Sequence, residues 1–209
     1  MEKTIIFDST NTATDLCRLA AKYSSDKSPF TTDSPCSGHR KGYTAFYETL
    51  LAPLRHKAID LCEIGIEQGG SLMTFSEYFP YARLFGMELL DHKIDHCMSL
   101  NIPRATVLKT DVSDITRLNS AFVNTGKMFD VIIDDSTHEK EHQINIIEVA
   151  SKYLKPGGIL IIEDLYRIDA ENVFDSVDKS QFSYHTFVIC HHENRHCWDN
   201  DKIWYAVKR

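Results

Sequence analysis

Phe129-Asp130-Val131-Ile132-Ile133-Asp134-Asp135-Ser136-Thr137-His138 and Gly158-Ile159-Leu160-Ile161-Ile162-Glu163-Asp164 each carry a short β-branched run that ends in acids. Such runs, bounded by turn signals, read as buried parallel strands, and in parallel sheets ligands bind just beyond the strands' carboxyl ends. Asp134, Asp135, Glu163, Asp164 and His138 are therefore expected to meet at one sheet edge. Carboxylates gathered there repel one another unless a cation, a proton or a polar ligand offsets the charge. A divalent metal or a hydroxyl-rich ligand is the expected partner.

Outward from these two strands the pattern alternates. Ile59 to Ile64 predicts a strand and Ser71 to Phe79 a helix; Leu84 to Met87 predicts a second strand with a helix near His92 to Leu100. Thr106 to Leu108 predicts a third strand, followed by a helix capped near Ser113, and a helix from about Glu139 to Tyr153 joins the two quoted strands. Phe187 to Cys190 and Ile203 to Val207 read as a closing antiparallel hairpin. The prediction is an α/β, doubly wound, Rossmann-like fold: a mostly parallel seven-stranded sheet, a C-terminal antiparallel hairpin, and helices on both faces. Ahead of it, helices are expected at about Thr12 to Tyr23 and from Tyr43 to Leu51. Between them Ser24 to Gly42, rich in Ser, Thr, Pro and Asp, reads as a long surface loop or lid.

The chain of 209 residues suits one α/β domain, with residues 1–57 as N-terminal helices and acceptor loop and 58–209 as core. With 23 Lys+Arg against 30 Asp+Glu the net charge is −7, which disfavours a nucleic acid partner. Met1 to Asp8 holds only three consecutive apolar residues, so neither a signal peptide nor a membrane partner is expected. A cytoplasmic location follows, and the six scattered cysteines are expected to be reduced. Cys190-His191-His192 with His196-Cys197 holds zinc-type ligands at spacings that match no common zinc pairing. Homo-oligomerisation stays open.

After the first strand of the alternation, Glu63-Ile64-Gly65-Ile66-Glu67-Gln68-Gly69-Gly70-Ser71 forms a turn whose glycines let a ligand approach the backbone. A dinucleotide fingerprint would need glycine where Glu67 stands, and a negative charge there opposes a pyrophosphate. A cofactor carrying an ammonium and a sulfonium tolerates it. Glu88, ending the second strand, is placed to accept from two ribose hydroxyls, and Asp111 from an exocyclic amine.

Together with Leu154-Lys155-Pro156-Gly157-Gly158, these residues resemble the class I S-adenosylmethionine-dependent methyltransferases, over most of the chain. The resemblance implies S-adenosyl-L-methionine as cofactor, with Glu63, Gly65, Gly69, Ser71, Glu88, Asp111 and Asp134 on its side of the site. Within that superfamily, Ile132 to His138, Glu163-Asp164-Leu165, Asp26-Lys27 and Tyr43 to Glu48 are most similar to the magnesium-dependent macrolide-sugar and cephalosporin-pathway O-methyltransferases. That likeness implies Mg2+ on Asp135, Glu163 and Asp164, a Mg-bound acceptor hydroxyl, and His138 as general base with Asp135 beside it. Ser136 replaces the family's glycine, and Lys41 stands where the family usually has a histidine.

The chemistry agrees with these roles. Magnesium takes oxygen ligands and leaves positions open for a vicinal diol, and an imidazole titrating near neutrality accepts a hydroxyl proton. His138, three residues after Asp135, lies near one helical turn from it. Position suggests Tyr43 at the entrance, with Tyr166 and Arg167 as acceptor contacts. The expected function is methylation of a hydroxyl on a sugar or small natural product. The alternatives are a metal-free small-molecule N- or O-methyltransferase and a non-catalytic module that binds S-adenosylmethionine.

Overall fold

The computed structural model describes residues 4–34 and 38–209, so Cys36 and the first three residues lie outside the described residues. The elements follow as β1 (Thr4–Asp8), α1 (Asp15–Lys22), α2 (Tyr43–Leu51), β2 (Asp60–Ile64), α3 (Gly70–Tyr78), β3 (Arg83–Glu88) and α4 (Asp91–Ser99). Then come β4 (Ala105–Lys109), α5 (Ile115–Thr125), β5 (Phe129–Asp134), α6 (Lys140–Ala150), β6 (Leu154–Leu165), β7 (Phe182–His191) and β8 (Lys202–Lys208). One sheet runs β1-β7-β8-β6-β5-β2-β3-β4. All of its neighbours are parallel except β8, which is antiparallel to both β6 and β7.

The sheet thus has eight strands where seven were expected. The extra one, β1, adds in parallel to β7 at the edge, with Thr4 opposite Phe187. Its sequence gave little notice, because Ile5 and Ile6 are exposed and no alternation marks a buried face. The central strands need no such allowance. In β5 and β6 successive residues enter opposite cores: Ile132, Leu160 and Ile162 pack with Phe122, Ile147 and Trp204, while Ile133 and Ile161 pack with Leu72, Phe75 and Tyr78. A strand covered on both faces keeps both phases of its period apolar, which is why these runs are continuous.

Helix ends follow local chemistry. Thr14 caps α1 by accepting from the Cys17 amide at 3.2 Å. The cap of α5 is Asp114, not Ser113; its carboxylate accepts from the Thr116 and Arg117 amides at 2.9 and 3.1 Å. Among the described residues no helix is long and apolar enough to cross a membrane, and the described cysteines are all free.

The strand order reverses between β2 and β5, where Ile64 faces Asp134. A crevice opens beyond the carboxyl ends at such a reversal, and both quoted acidic segments lead into it.

Candidate active site

Gly65 lets the two central loops touch. Its φ is +82°, and a Cβ there would lie 2.1 Å from the Asp135 carbonyl oxygen. Gly65 donates to the Met87 carbonyl and Asp135 to that of Ile64, both at 2.8 Å. Gly69, at φ +79°, begins α3 in the left-handed region, where glycine alone carries no Cβ penalty. Around this turn lie two cavities that share Glu67 and Asp135. One, of about 340 Å³, is lined by Gly65, Glu88, Asp111, Asp135 and Thr137. The other, of about 410 Å³, is lined by Asp26, Lys27, Gln68, Ser71 and Asp135. Glu67 itself sits at φ +43° and pairs with Lys93.

Glu63 and Asp134 form the buried floor. Ser71 donates to Glu63 Oε2 at 2.7 Å, while Oε1 has no hydrogen-bond partner. Burial pushes this carboxyl up to about 7, with Lys27 opposing. Asp134 accepts from the Ser136 hydroxyl at 2.6 Å and its amide at 3.1 Å, and its Oδ2 is also unpartnered. Burial pushes Asp134 up to about 6. Glu88 turns one oxygen back to the Leu89 and Leu90 amides, and Asp111 caps Ser113 at the exposed rim.

Above that floor the structure brings Asp135, His138 and Asp164 together: one ligand atom from each lies within 4.8 Å of the others. His138 Nε2 is 3.4 Å from Asp164 Oδ2. The helical spacing expected for His138 is not how it arrives, because α6 begins only at Lys140. A turn with His138 at φ +61° delivers the ring instead. Asp164 is also left-handed, at φ +61°, and the β6–β8 register shifts between Ile162 and Leu165. A bulge of this kind re-aims side chains, and here it frees two consecutive acids from the strict alternation of a strand.

In the stretch from Ser24 to Gly42, of which residues 35–37 lie outside the described residues, the described part is not the surface lid expected. Ser25, Lys27, Ser28, Thr31 and Lys41 are buried, and Lys41 and Thr44 donate their amides to the Asp26 and Lys27 carbonyls. The acids themselves explain the inward turn, since each lysine ends among carboxylates. Lys27 Nζ bonds Asp135, lies 2.8 Å from Glu163 and 3.6 Å from Glu63. Burial works against its charge, but Asp135, Glu163 and Glu63 hold the ammonium well above the ordinary lysine range. Lys41 Nζ lies 2.5 Å from both Asp164 oxygens and 3.6 Å from Asp26.

Tyr43 and Tyr47, one turn apart on α2 and stacked at 6.1 Å, reach consecutive acids. The Tyr47 hydroxyl is 2.5 Å from Glu163 Oε1, and that of Tyr43 is 2.8 Å from Asp164 Oδ1. Tyr43 is fully buried beneath Asp164 and does not line an entrance. Glu163 lies outside the Asp135–His138–Asp164 group, and Tyr47 and Lys27 take its two oxygens. Arg167 is likewise occupied, with a bidentate pair to Asp201 at 2.6 and 2.7 Å; Tyr166 is exposed. Lys27, Lys41, Tyr47 and Asn200, whose amide donates to Asp164 at 2.9 Å, received no role from the sequence. The Asp26-Lys27 pair and the Lys41 departure were the available signals.

Cys190, His191, His192, His196 and Cys197 do not converge on a common point. His191 faces Arg167, His196 faces the Gly38 carbonyl, and Cys190 is buried in the core.

Strand order, glycine turn and acidic strand ends together define the Rossmann-like fold of the methyltransferases. No protein-family model matches the chain. By sequence it is related to O-methyltransferases named for rhamnosyl and olivosyl compounds. It is 32% identical over 160 residues to 8-demethyl-8-(2-methoxy-alpha-L-rhamnosyl)-tetracenomycin-C 3'-O-methyltransferase of Streptomyces olivaceus, covering 73% of this chain and 37% of that protein. It is 28% identical over 169 residues to L-olivosyl-oleandolide 3-O-methyltransferase of Streptomyces antibioticus, covering 78% and 40%. The chain thus spans well under half the length of these relatives. Among solved structures, MycE methyltransferase from the mycinamycin biosynthetic pathway, in complex with Mg and SAH, superposes with a TM-score of 0.68 at 18% identity. That match covers 93% of this chain and 54% of MycE.

Proposed function

We propose that this chain transfers the methyl group of S-adenosyl-L-methionine to a hydroxyl of a sugar carried by a small natural product. The observation that carries the reading is the meeting of Asp135, His138 and Asp164 at the sheet edge, with Asp135 also lining both cavities of the glycine turn. The relatives' names, sugar O-methyltransferases all, support the choice of acceptor.

On this reading Gly65, Gly69 and Ser71 shape the cofactor turn, and Glu88 and Asp111 take the adenosine end. The unpartnered oxygens of Glu63 and Asp134 await donors from the cofactor. His138 accepts the hydroxyl proton, with Asp164 orienting its ring. The carboxylates of Asp135 and Asp164 also fit a magnesium ion, which favours oxygen ligands: they converge beside His138, and Asp135 is partly open to solvent. Asp135 and Asp164 would hold it at the mouth, with Glu163 as the third acid. Bound there, it would supply Lewis acidity toward the acceptor oxygen. Tyr166 lies on the acceptor side, whereas Arg167 acts through its pair with Asp201. The inward-turned residues Ser25 to Thr31 and Lys41 would close the acceptor side over the cofactor-binding core.

A metal-free transferase is the second reading, favoured by Lys27 and Lys41, which already place two ammonium groups among the acids. Transfer of a labelled methyl group to a rhamnosylated or olivosylated acceptor, with and without EDTA, separates the two. Loss of turnover restored by Mg2+ is expected; unchanged turnover eliminates the metal. Binding of S-adenosylmethionine without transfer to any hydroxylated acceptor would leave only a binding module.

A further inference from the structure

Lys41 has no part in the chemistry just described, yet it is among the most thoroughly buried charges of the site, at 2% exposure. Its ammonium contacts both oxygens of Asp164 at 2.5 Å. The same carboxylate also receives Tyr43 at 2.8 Å and Asn200 at 2.9 Å, and faces His138 at 3.4 Å. Donors therefore surround Asp164 on every side but the one turned to His138 and Asp135.

An ammonium and a divalent cation that contact one carboxylate repel each other, and in a partly buried site the repulsion is screened only weakly. We propose that Lys41 is the resident counter-ion of Asp164 and competes with the divalent cation for it, so that the site holds its metal loosely. This inference rests on the assignment of Asp135 and Asp164 as metal ligands. Lys41 is the lysine suited to the role. Its removal leaves Asp164 still placed by Tyr43 and Asn200, whereas removal of Lys27 would strand Glu63 and Glu163 together.

The test is a titration of Mn2+ into the purified protein at pH 8, without cofactor or acceptor, followed by the paramagnetic resonance signal of free Mn2+. Lys41→Met and Lys41→Gln are expected to bind Mn2+ at least about tenfold tighter than the unmodified protein. Lys41→Arg, which keeps the charge, is expected to match the unmodified protein, and Asp164→Asn to lose binding. Circular dichroism shows which variants are folded, and either neutral variant suffices. If both neutral variants fold and bind no tighter while Asp164→Asn abolishes binding, the role of Lys41 is overturned and the metal assignment stands. If neither the unmodified protein nor a neutral variant binds Mn2+, the metal assignment itself falls and takes this inference with it.

Discussion

Replacing Glu63 by Gln is expected to stabilise the protein above neutral pH. Glu63 is fully buried, and burial raises its carboxyl from an ordinary 4.5 to about 7. A carboxyl whose folded pKa is raised binds more protons folded than unfolded between those two values, so stability falls as pH rises across that window. Below 4.5 the group is protonated in both states and contributes nothing. Above about 7 it carries the full penalty. The span from 4.5 to about 7, at about 1.4 kcal/mol per pH unit, sets that penalty at about 3 kcal/mol. Glutamine is isosteric and neutral; its amide can donate to the Ser71 hydroxyl, now 2.7 Å from Oε2, while its oxygen faces Lys27. Urea unfolding followed by circular dichroism at pH 8 should therefore show Glu63→Gln more stable by up to about 3 kcal/mol, with m unchanged, and the gain should shrink toward zero near pH 4.5. A variant less stable than the parent at pH 8, or offset equally at both pH values, would refute the reasoning.

Other substitutions probe the same site. Gly65→Ala places a Cβ 2.1 Å from the Asp135 carbonyl oxygen at a φ of +82°, and should cost at least about 1–3 kcal/mol in the same assay while weakening S-adenosylmethionine binding by calorimetry. Lys27→Met leaves buried Glu163 and Glu63 without their cation, and a loss of about 3–5 kcal/mol is expected at pH 7, read as a drop in melting temperature. His138→Ala should lower kcat about 100- to 10,000-fold while the cofactor dissociation constant stays within about twofold; a smaller effect would remove His138 as base. Because a cationic cofactor lowers the raised pKa of Glu63, its binding near pH 7 should release protons. Calorimetry in buffers of different ionisation enthalpy reads that release, and uptake would count against Glu63 facing the cofactor's ammonium.

The parallel core was legible because its strands are buried on both faces, so Val131 to Ile133 and Ile159 to Ile162 kept both phases apolar. β1 was not, since an edge strand with exposed Ile5 and Ile6 needs no periodic signal and its partner lies far along the chain. The acids at the strand ends were legible as a cluster, but what neutralises them was not. Lys27 and Lys41 sit in a stretch of Ser, Thr, Pro and Asp that reads as solvated; only the fold shows that the acids draw both ammoniums inward. Similarly, Tyr43 read as an entrance residue and Tyr47 only as part of a helix, and their hydroxyls gained their meaning once β6 put Glu163 and Asp164 above them.

The charge balance explains why the site has this composition. Asp26, Glu63, Asp135, Glu163 and Asp164 pair with Lys27 or Lys41, and among the described residues no lysine pairs with Asp134. Burial answers part of the excess, holding Glu63 at about 7 and Asp134 at about 6, close enough to neutrality for a bound cation to tip them. Two ammoniums do not neutralise the remaining acids, and Asp135, the member left partly open to solvent, stands at the mouth with buried Asp164 and His138 beside it. The unpartnered oxygens of Glu63 and Asp134 mark a second deficit on the crevice floor. A neutral ligand would leave both deficits in place. A cationic cofactor on the floor and a cation at the mouth would answer them separately, with Asp134 and Asp135, adjacent at the end of β5, turned one to each.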